Sequence, residues 1–269
     1  KKTQILVEGL SEQGWDDCLA QVTVGSSLQA LKLICSTHYL AASTSNGTVI
    51  LWDTITFEES RTISHQEHIF AMCFTDSGEL LATYGHETTK IWNVATGRQK
   101  YKVNNYPECR ALSMKFVEDD MKLIVGLNTR KVAELALDGD IITWHAIESP
   151  FLQEENTIPG AFINSPTALA FNSDATYIVV AYRAFPLTLW NIYEKQRVKR
   201  CRRTAGNEHG NAMAWSGVMK VIWHPNDEDI LGIYLDGVVF KWSPFEDSHQ
   251  ELQSESNTAP SEIQCSPSG

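Results

Sequence analysis

The feature that most constrains this chain is a spacing between large apolar residues. Phe74 stands 18 residues before Trp92, and the pairing returns as Phe116 with Leu135, Phe171 with Trp190 and Trp223 with Trp242, each 19 apart. Upstream, Trp52 closes a similar interval, with Ile34 at the matching distance and a shorter turn inside it. Apolar runs of strand length, broken by turn residues, fill each interval. The clearest example begins with His68–Phe74 and continues through Asp76-Ser77-Gly78, Leu80–Tyr84, Gly85-His86-Glu87, Thr89–Asn93 and Ala95-Thr96-Gly97 to a last run from Arg98. Three apolar runs and an amphipathic fourth describe an antiparallel meander of four strands, a to d.

One such sheet cannot bury both faces, so it needs neighbours of its own kind. The step from Trp to Trp (Leu135 standing in once) is 40 to 43 residues where loops are short and 52 to 55 where they are long. The third strands end in Trp52-Asp53, Trp92-Asn93, Trp190-Asn191 and Trp242-Ser243, the last a departure. A four-stranded repeat of this length ending in Trp-Asp or Trp-Asn resembles the blade of a WD40 β-propeller. The resemblance runs from about Leu28 to Gln253. It implies an all-β, WD40-type β-propeller with about five complete blades at 28–63, 64–103, 110–145, 165–202 and 218–253. Trp52, Trp92, Leu135, Trp190 and Trp242 are their structural repeat anchors.

Residues 1–14 carry no strong period and read as a connector. From Trp15 to Val24, Cys18, Ala20, Val22 and Val24 share one face, as in a single strand lent to close the last blade. After the fifth blade, Ser254–Pro260 has the composition of a linker, and 259–269 begins another unit, Cys265 lying 42 residues after Trp223. Five units and two partial ones leave a ring open, so the expectation is a piece of a larger propeller.

Within the blades, Asn46-Gly47 suits a type I′ turn with positive φ at both corners. The family resembled commonly places a histidine before strand a, hydrogen-bonded to an Asp six residues before the Trp. Here His65-Gln66-Glu67-His68 supplies the histidines and also has a metal-like spacing. The Asp survives only as Asp236, with His209 as its mate, since blade one has Asn46 and blade two His86 at that place. The implied tetrads are mostly broken, which leaves these blades to apolar packing. Loops at 147–164 and 204–216 are long for a compact domain.

A net charge of −11 disfavours a nucleic-acid face over the whole domain. Lys199-Arg200-Cys201-Arg202-Arg203 reads either as a solvated outer strand and loop or as a localisation or phosphate contact. The six cysteines form no CxxC pair, as for reduced, buried thiols in an intracellular protein. No run approaches the roughly 20 apolar residues of a membrane span. A cytoplasmic protein, with the nucleus as alternative, fits these facts.

No phosphate loop, nucleophile elbow, HExxH or calcium loop is present, and the paired acids Asp119-Asp120, Glu154-Glu155 and Asp227-Glu228-Asp229 fall in turns or loops. The expectation is no enzyme, with no catalytic, cofactor-binding or metal residues. Function then rests on loops that contact proteins. Candidate interaction residues are His86, Tyr106, Arg110, Arg130, Phe151, Phe162, Arg183, Phe185 and Trp215, aromatic or basic side chains of the kind that anchor interfaces. Trp15-Asp16-Asp17-Cys18-Leu19, followed by Leu40-Ala41-Ala42-Ser43 and Gly47–Trp52, looks like the start of the C-terminal WD40 region of large fungal NACHT-type proteins, the NOD-like STAND NTPases. That resemblance implies a sensor and autoinhibitory propeller attached to an upstream nucleotide-driven domain. The alternative is a general WD40 scaffold for a multiprotein complex.

Overall fold

The computed structural model describes residues 3–8, 18–24, 30–36, 38–139, 142–147, 166–182, 186–201, 217–252 and 263. Among them every regular element is a β-strand, in five four-stranded antiparallel meanders and one hairpin. The hairpin joins β1 (Thr3–Glu8) to β2 (Cys18–Val24). Blade 1 holds β3 (Ala30–Cys35), β4 (Tyr39–Thr44), β5 (Thr48–Asp53) and β6 (Glu59–Ser64). Blade 2 holds β7 (Ala71–Phe74), β8 (Leu80–Tyr84), β9 (Thr88–Asn93) and β10 (Gln99–Asn104). In blade 3 these are β11 (Ala111–Val117), β12 (Lys122–Leu127), β13 (Val132–Ala136) and β14 (Trp144–Ile147). Blade 4 has β15 (Ala168–Phe171), β16 (Tyr177–Ala181), β17 (Thr188–Asn191) and β18 (Gln196–Arg200). Blade 5 has β19 (Val218–Trp223), β20 (Ile230–Tyr234), β21 (Val239–Ser243) and β22 (Ser248–Leu252). The chain divides into two compact units, Lys1–Glu108 and Cys109–Gly269.

Within each unit, one blade covers the face its neighbour cannot hide. Strand β16 has side chains alternating between two seams. Ile178 and Val180 pack with Val117, Ile124 and Val132 of blade 3, while Val179 and Ala181 pack with Val221, Trp223 and Phe240 of blade 5. Burial on both faces is why this strand reads as an unbroken apolar run. Each such Val or Ile stabilises by roughly 1.5–3 kcal/mol. In unit 1 the same seam joins Ala41, Leu51 and Ile63 of blade 1 to Met72, Leu81 and Trp92 of blade 2. The outermost strands are polar: β10 exposes Lys100, Lys102 and Asn104 and buries only Val103. Lysines on an outer strand discourage pairing with another sheet edge.

The five anchors hold one register. Trp52, Trp92, Leu135, Trp190 and Trp242 lie opposite Leu40, Leu81, Leu123, Ile178 and Ile230 of the second strands. Across those, Phe74, Phe116, Phe171 and Trp223 complete the row from the first strands. Blade 1 departs from the expectation, because Cys35 and not Ile34 faces Leu40, while Ile34 faces Ala41. The connection between β3 and β4 is shorter, and in a hairpin the loop length sets the register. Cys35 is also exposed and Cys73 half-buried, so among the four cysteines whose burial is described only Cys109 and Cys201 are buried thiols.

The N-terminal stretch differs as well. Thr3–Glu8, expected within a connector, is a strand, and β2 pairs with it, Ile5 opposite Val22, whereas the expectation was a strand completing the last blade. The run Ile5-Leu6-Val7 offers β2 a partner close in sequence, and a short closure costs little chain entropy.

The residue after each Trp has a local task. Asp53 Oδ1 accepts from the Ile55 and Thr56 N–H groups, Asn93 Oδ1 from Thr96, and Asn191 Oδ1 from Tyr193 and Glu194. This is the Asx turn that starts the loop from strand c to strand d. The loop then passes a left-handed residue, Phe57, Gly97, Lys195 or Asp247, with φ between 53° and 68°. Ser243 stands at the Asx place in blade 5 but aims its hydroxyl at the Asp229 carboxylate. That interaction accounts for the departure from Trp-Asp.

Candidate functional site

Antiparallel meanders place a–b and c–d turns at one end of a blade and b–c turns with d–a connections at the other. The second end carries the described candidates: His86 and Tyr106 in unit 1, Arg110 and Arg130 in unit 2.

In unit 1 this end is built on a buried histidine. His65 is fully buried, and its Nδ1 lies 2.7 Å from Thr83 Oγ1. That oxygen also accepts from Trp92 Nε1 at 2.8 Å and donates to the Lys90 carbonyl at 3.3 Å. Burial, and then the Lys90 charge, push the His65 imidazole down to about 4, so it is neutral at pH 7. Glu67 takes the part expected of a b–c turn Asp. Its carboxylate accepts from the Glu87 and Thr88 N–H groups at 2.6 and 3.1 Å and from the Thr88 hydroxyl at 2.5 Å, and one oxygen lies 3.9 Å from His65 Nε2. Burial alone would raise the Glu67 carboxyl, but these donors outweigh it and hold it low. Lys90 Nζ donates to the His65 carbonyl at 2.5 Å, its charge disfavoured by burial. Thus blade 2 holds a buried polar cluster of His65, Thr83, Trp92 and Lys90, with a carboxylate from the d–a connection placed near His65 Nε2 but too far for a hydrogen bond.

Two glycines make room for this arrangement. A Cβ on Gly85 would fall 2.3 Å from His65 Nε2, and one on Gly47, at φ 78°, would fall 2.1 Å from the Glu67 carbonyl oxygen. The Asn46-Gly47 turn is not type I′, since only Gly47 has positive φ. Gly47 N–H donates to Thr44 at 3.0 Å, and Asn46 Oδ1 accepts from the Thr44 hydroxyl, which describes a type I turn closed by a left-handed glycine.

His65 and His68 diverge. His65 is sequestered, whereas exposed His68 stacks edge-on against Phe70 at 4.9 Å, and Phe70 lies 6.3 Å from exposed His86. The structure therefore gives His86 an aromatic companion, Phe70, that the sequence did not single out, and Phe70 in turn contacts His68. Tyr106 is half-buried in the following connection.

In unit 2, Asn128 ties Arg110 to the b–c turn that carries Arg130. The Arg110 N–H donates to Asn128 Oδ1 at 2.8 Å, and the Asn128 N–H returns to the Arg110 carbonyl at 2.9 Å. Arg130 has φ 66° and donates its N–H to Leu127 at 3.0 Å. That is the place held by Gly47 in blade 1 and by Gly237, φ 85°, in blade 5. A Cβ in this conformation costs about 1–2 kcal/mol. Phe151, Phe162, Arg183, Phe185 and Trp215 lie outside the described residues, as do Glu154-Glu155 and His209.

The carboxylates of the other end hold turns together. Asp229 accepts from Lys241 at 2.7 Å, Asn226 at 2.8 Å and Ser243, and these bonds overcome burial to keep its carboxyl low. Asp227 takes the Ser173 N–H at 2.9 Å, linking the a–b turns of blades 4 and 5. Burial pushes the Cys201 thiol up to about 12, so it stays protonated. Among the described residues no three His, Cys, Asp or Glu side chains gather to hold a metal ion, and no helix is long and apolar enough to cross a membrane.

A family model, the WD domain, G-beta repeat, matches residues 57–93. The match runs from the last strand of blade 1 through three strands of blade 2 to Trp92-Asn93, so the sequence repeat is staggered against the sheet. No curated protein matches the chain. Among solved structures it is similar to the β-propeller domain of Myceliophteria thermophila Cps50 (Swd1), with TM-score 0.61 and 12% identity over 80% of this chain. The chain spans 65% of that structure, and 1646 solved chains match in all, so the likeness establishes the fold without selecting a partner. The fold is a β-propeller of five four-stranded blades among the described residues, with a WD40 repeat at 57–93.

Proposed function

We propose that this chain is a non-catalytic scaffold that binds a protein partner at the end formed by its b–c turns and d–a connections. WD40 propellers generally serve as protein-interaction scaffolds, their rigid sheets presenting variable loops. The observation that carries the choice of end is Arg130, a large basic residue in a left-handed turn position where blades 1 and 5 use glycine. A conformation that lowers stability at this half-buried turn fits a residue kept for its side chain. Arg110, whose N–H is held by Asn128 two residues before Arg130, gives a second guanidinium on this unit, and unit 1, taken by itself, offers His86, Phe70 and His68 as aromatic side chains at its own b–c and d–a end. Arginine and aromatic groups are the usual anchors of protein interfaces.

Arg130→Gly tests this, because strain and binding move in opposite directions. The variant is expected to unfold later, by about 1 kcal/mol, while capturing less of the partner in affinity purification from the parent cell. Unchanged capture from a stabilised variant refutes the assignment. A narrower form of the reading, a sensor propeller of a NACHT-type signalling protein, is supported by Trp15-Asp16-Asp17-Cys18-Leu19 in the sequence. A Walker A motif in the adjoining N-terminal sequence supports that form, and its absence leaves the general scaffold.

A further inference from the structure

The a–b and c–d end of unit 2 exposes large apolar side chains at repeated positions. Tyr193 and Phe245 each stand three residues after the Trp of their blade, on adjacent c–d turns, and are 57% and 53% exposed. Met121, on the a–b turn of blade 3, is 47% exposed. Solvent alone does not favour such residues at loop tips, and all three lie on turns at the same end of their blades. The Tyr193 phenol lies within electrostatic reach of Lys122, Glu118 and Glu134 of blade 3 and of Asp174 in its own blade. Phe245 lies edge-on to Tyr177 of blade 4 at 5.6 Å, Asp247 pairs with Lys199 at 3.0 Å, and Asp227 holds the Ser173 turn.

The charge around these tips is negative on balance. Turn residues 118–121, 173–176, 192–195, 224–229 and 244–247 contain ten carboxylates and one lysine, and Lys122, Lys199 and Lys241 from the adjoining strands pair with three of those carboxylates, Glu118, Asp247 and Asp229. A second copy of the chain would set two acidic surfaces against each other, and a nucleic acid would be repelled. A segment that alternates large apolar with Lys or Arg side chains would cover Met121, Tyr193 and Phe245 and complement the acids around them.

We infer that this end of unit 2 is a second docking surface, for a basic amphipathic segment of another protein, independent of the Arg110 and Arg130 end. The probe is a fluorescent peptide of alternating Lys and Leu, about a dozen residues long, titrated into the full chain. A Lys/Ser peptide of equal charge is the control. Saturable binding is expected, about tenfold weaker for Lys/Ser and about tenfold weaker for Tyr193→Ser/Phe245→Ser. Arg110→Ala/Arg130→Ala should bind as the parent does. Both substituted apolar residues are exposed, and tryptophan fluorescence checks that the variant is folded. Equal binding of the two peptides, survival of binding in the Tyr193/Phe245 variant, its loss in the Arg110/Arg130 variant, or no saturable binding overturns the inference.

Discussion

Blades 2 and 4 start from nearly the same sequence plan and reach rigidity by different means. Both end their third strand in Trp-Asn, and both Trp side chains are buried against the preceding blade. In blade 2 the indole N–H crosses to Thr83 on the neighbouring strand, and Thr83 joins it to His65 and Lys90. In blade 4 the indole N–H goes only two residues back, to Thr188 at 2.9 Å, while Ile178, Val179, Val180 and Ala181 fill both seams. One blade is wired by buried polar groups, the other packed by aliphatics. A buried network of this kind is strong only while every member is satisfied, so blade 2 should be the more brittle.

The largest expected difference comes from removing the hub hydroxyl. Thr83→Val leaves the His65 and Trp92 nitrogens short of their partner and should cost about 4 kcal/mol, whereas Thr188→Val removes one local acceptor and should cost about 1 kcal/mol. Urea unfolding of the two variants measures both, and equal losses would erase the contrast. Acid should separate the blades next. The folded His65 titrates near 4, below its unfolded value of about 6.5, so the unfolded chain binds the extra proton between these values. Stability from this group is complete above about pH 6.5 and falls toward pH 4, by about 2 kcal/mol at about pH 5. Amide exchange in β8 and β9 should quicken on acidification more than in β16 and β17, and His65→Gln should flatten the slope. Identical acid responses in both blades would remove His65 from the account. The smallest test uses the shared left-handed corner. Lys195→Gly in blade 4 should stabilise by about 1 kcal/mol and Gly97→Ala in blade 2 should destabilise by a similar amount, read as shifts in thermal midpoint.

What the sequence revealed follows from where the physics is local. Apolar runs and the recurring Trp are consequences of strands covered on both faces, and they marked the sheets and the anchor row. The turn between β3 and β4 was invisible to Trp spacing, and it moved Cys35 into the row in place of Ile34. Glu67 was overlooked because the acid was sought in the b–c turn. The available signal was a glycine at 85 small enough to admit a His-x-Glu from another connection. Arg130 stood among the candidates as a basic side chain, yet nothing in Asn128-Thr129-Arg130 marks a left-handed position, since only the hydrogen-bond pattern shared with Gly47 and Gly237 reveals it. The apolar tips Tyr193 and Phe245 required a count from each blade's Trp before their equivalence was visible.

Cys201 sits in the seam between blades 4 and 5, its sulfur close to the Tyr234 hydroxyl and far too basic to ionise at neutral pH. An alkylating reagent can reach it only when those two blades part, and only the rare thiolate reacts. Its labelling half-life therefore works as a clock for the breathing of a single joint, against which the motion of the whole molecule can be timed.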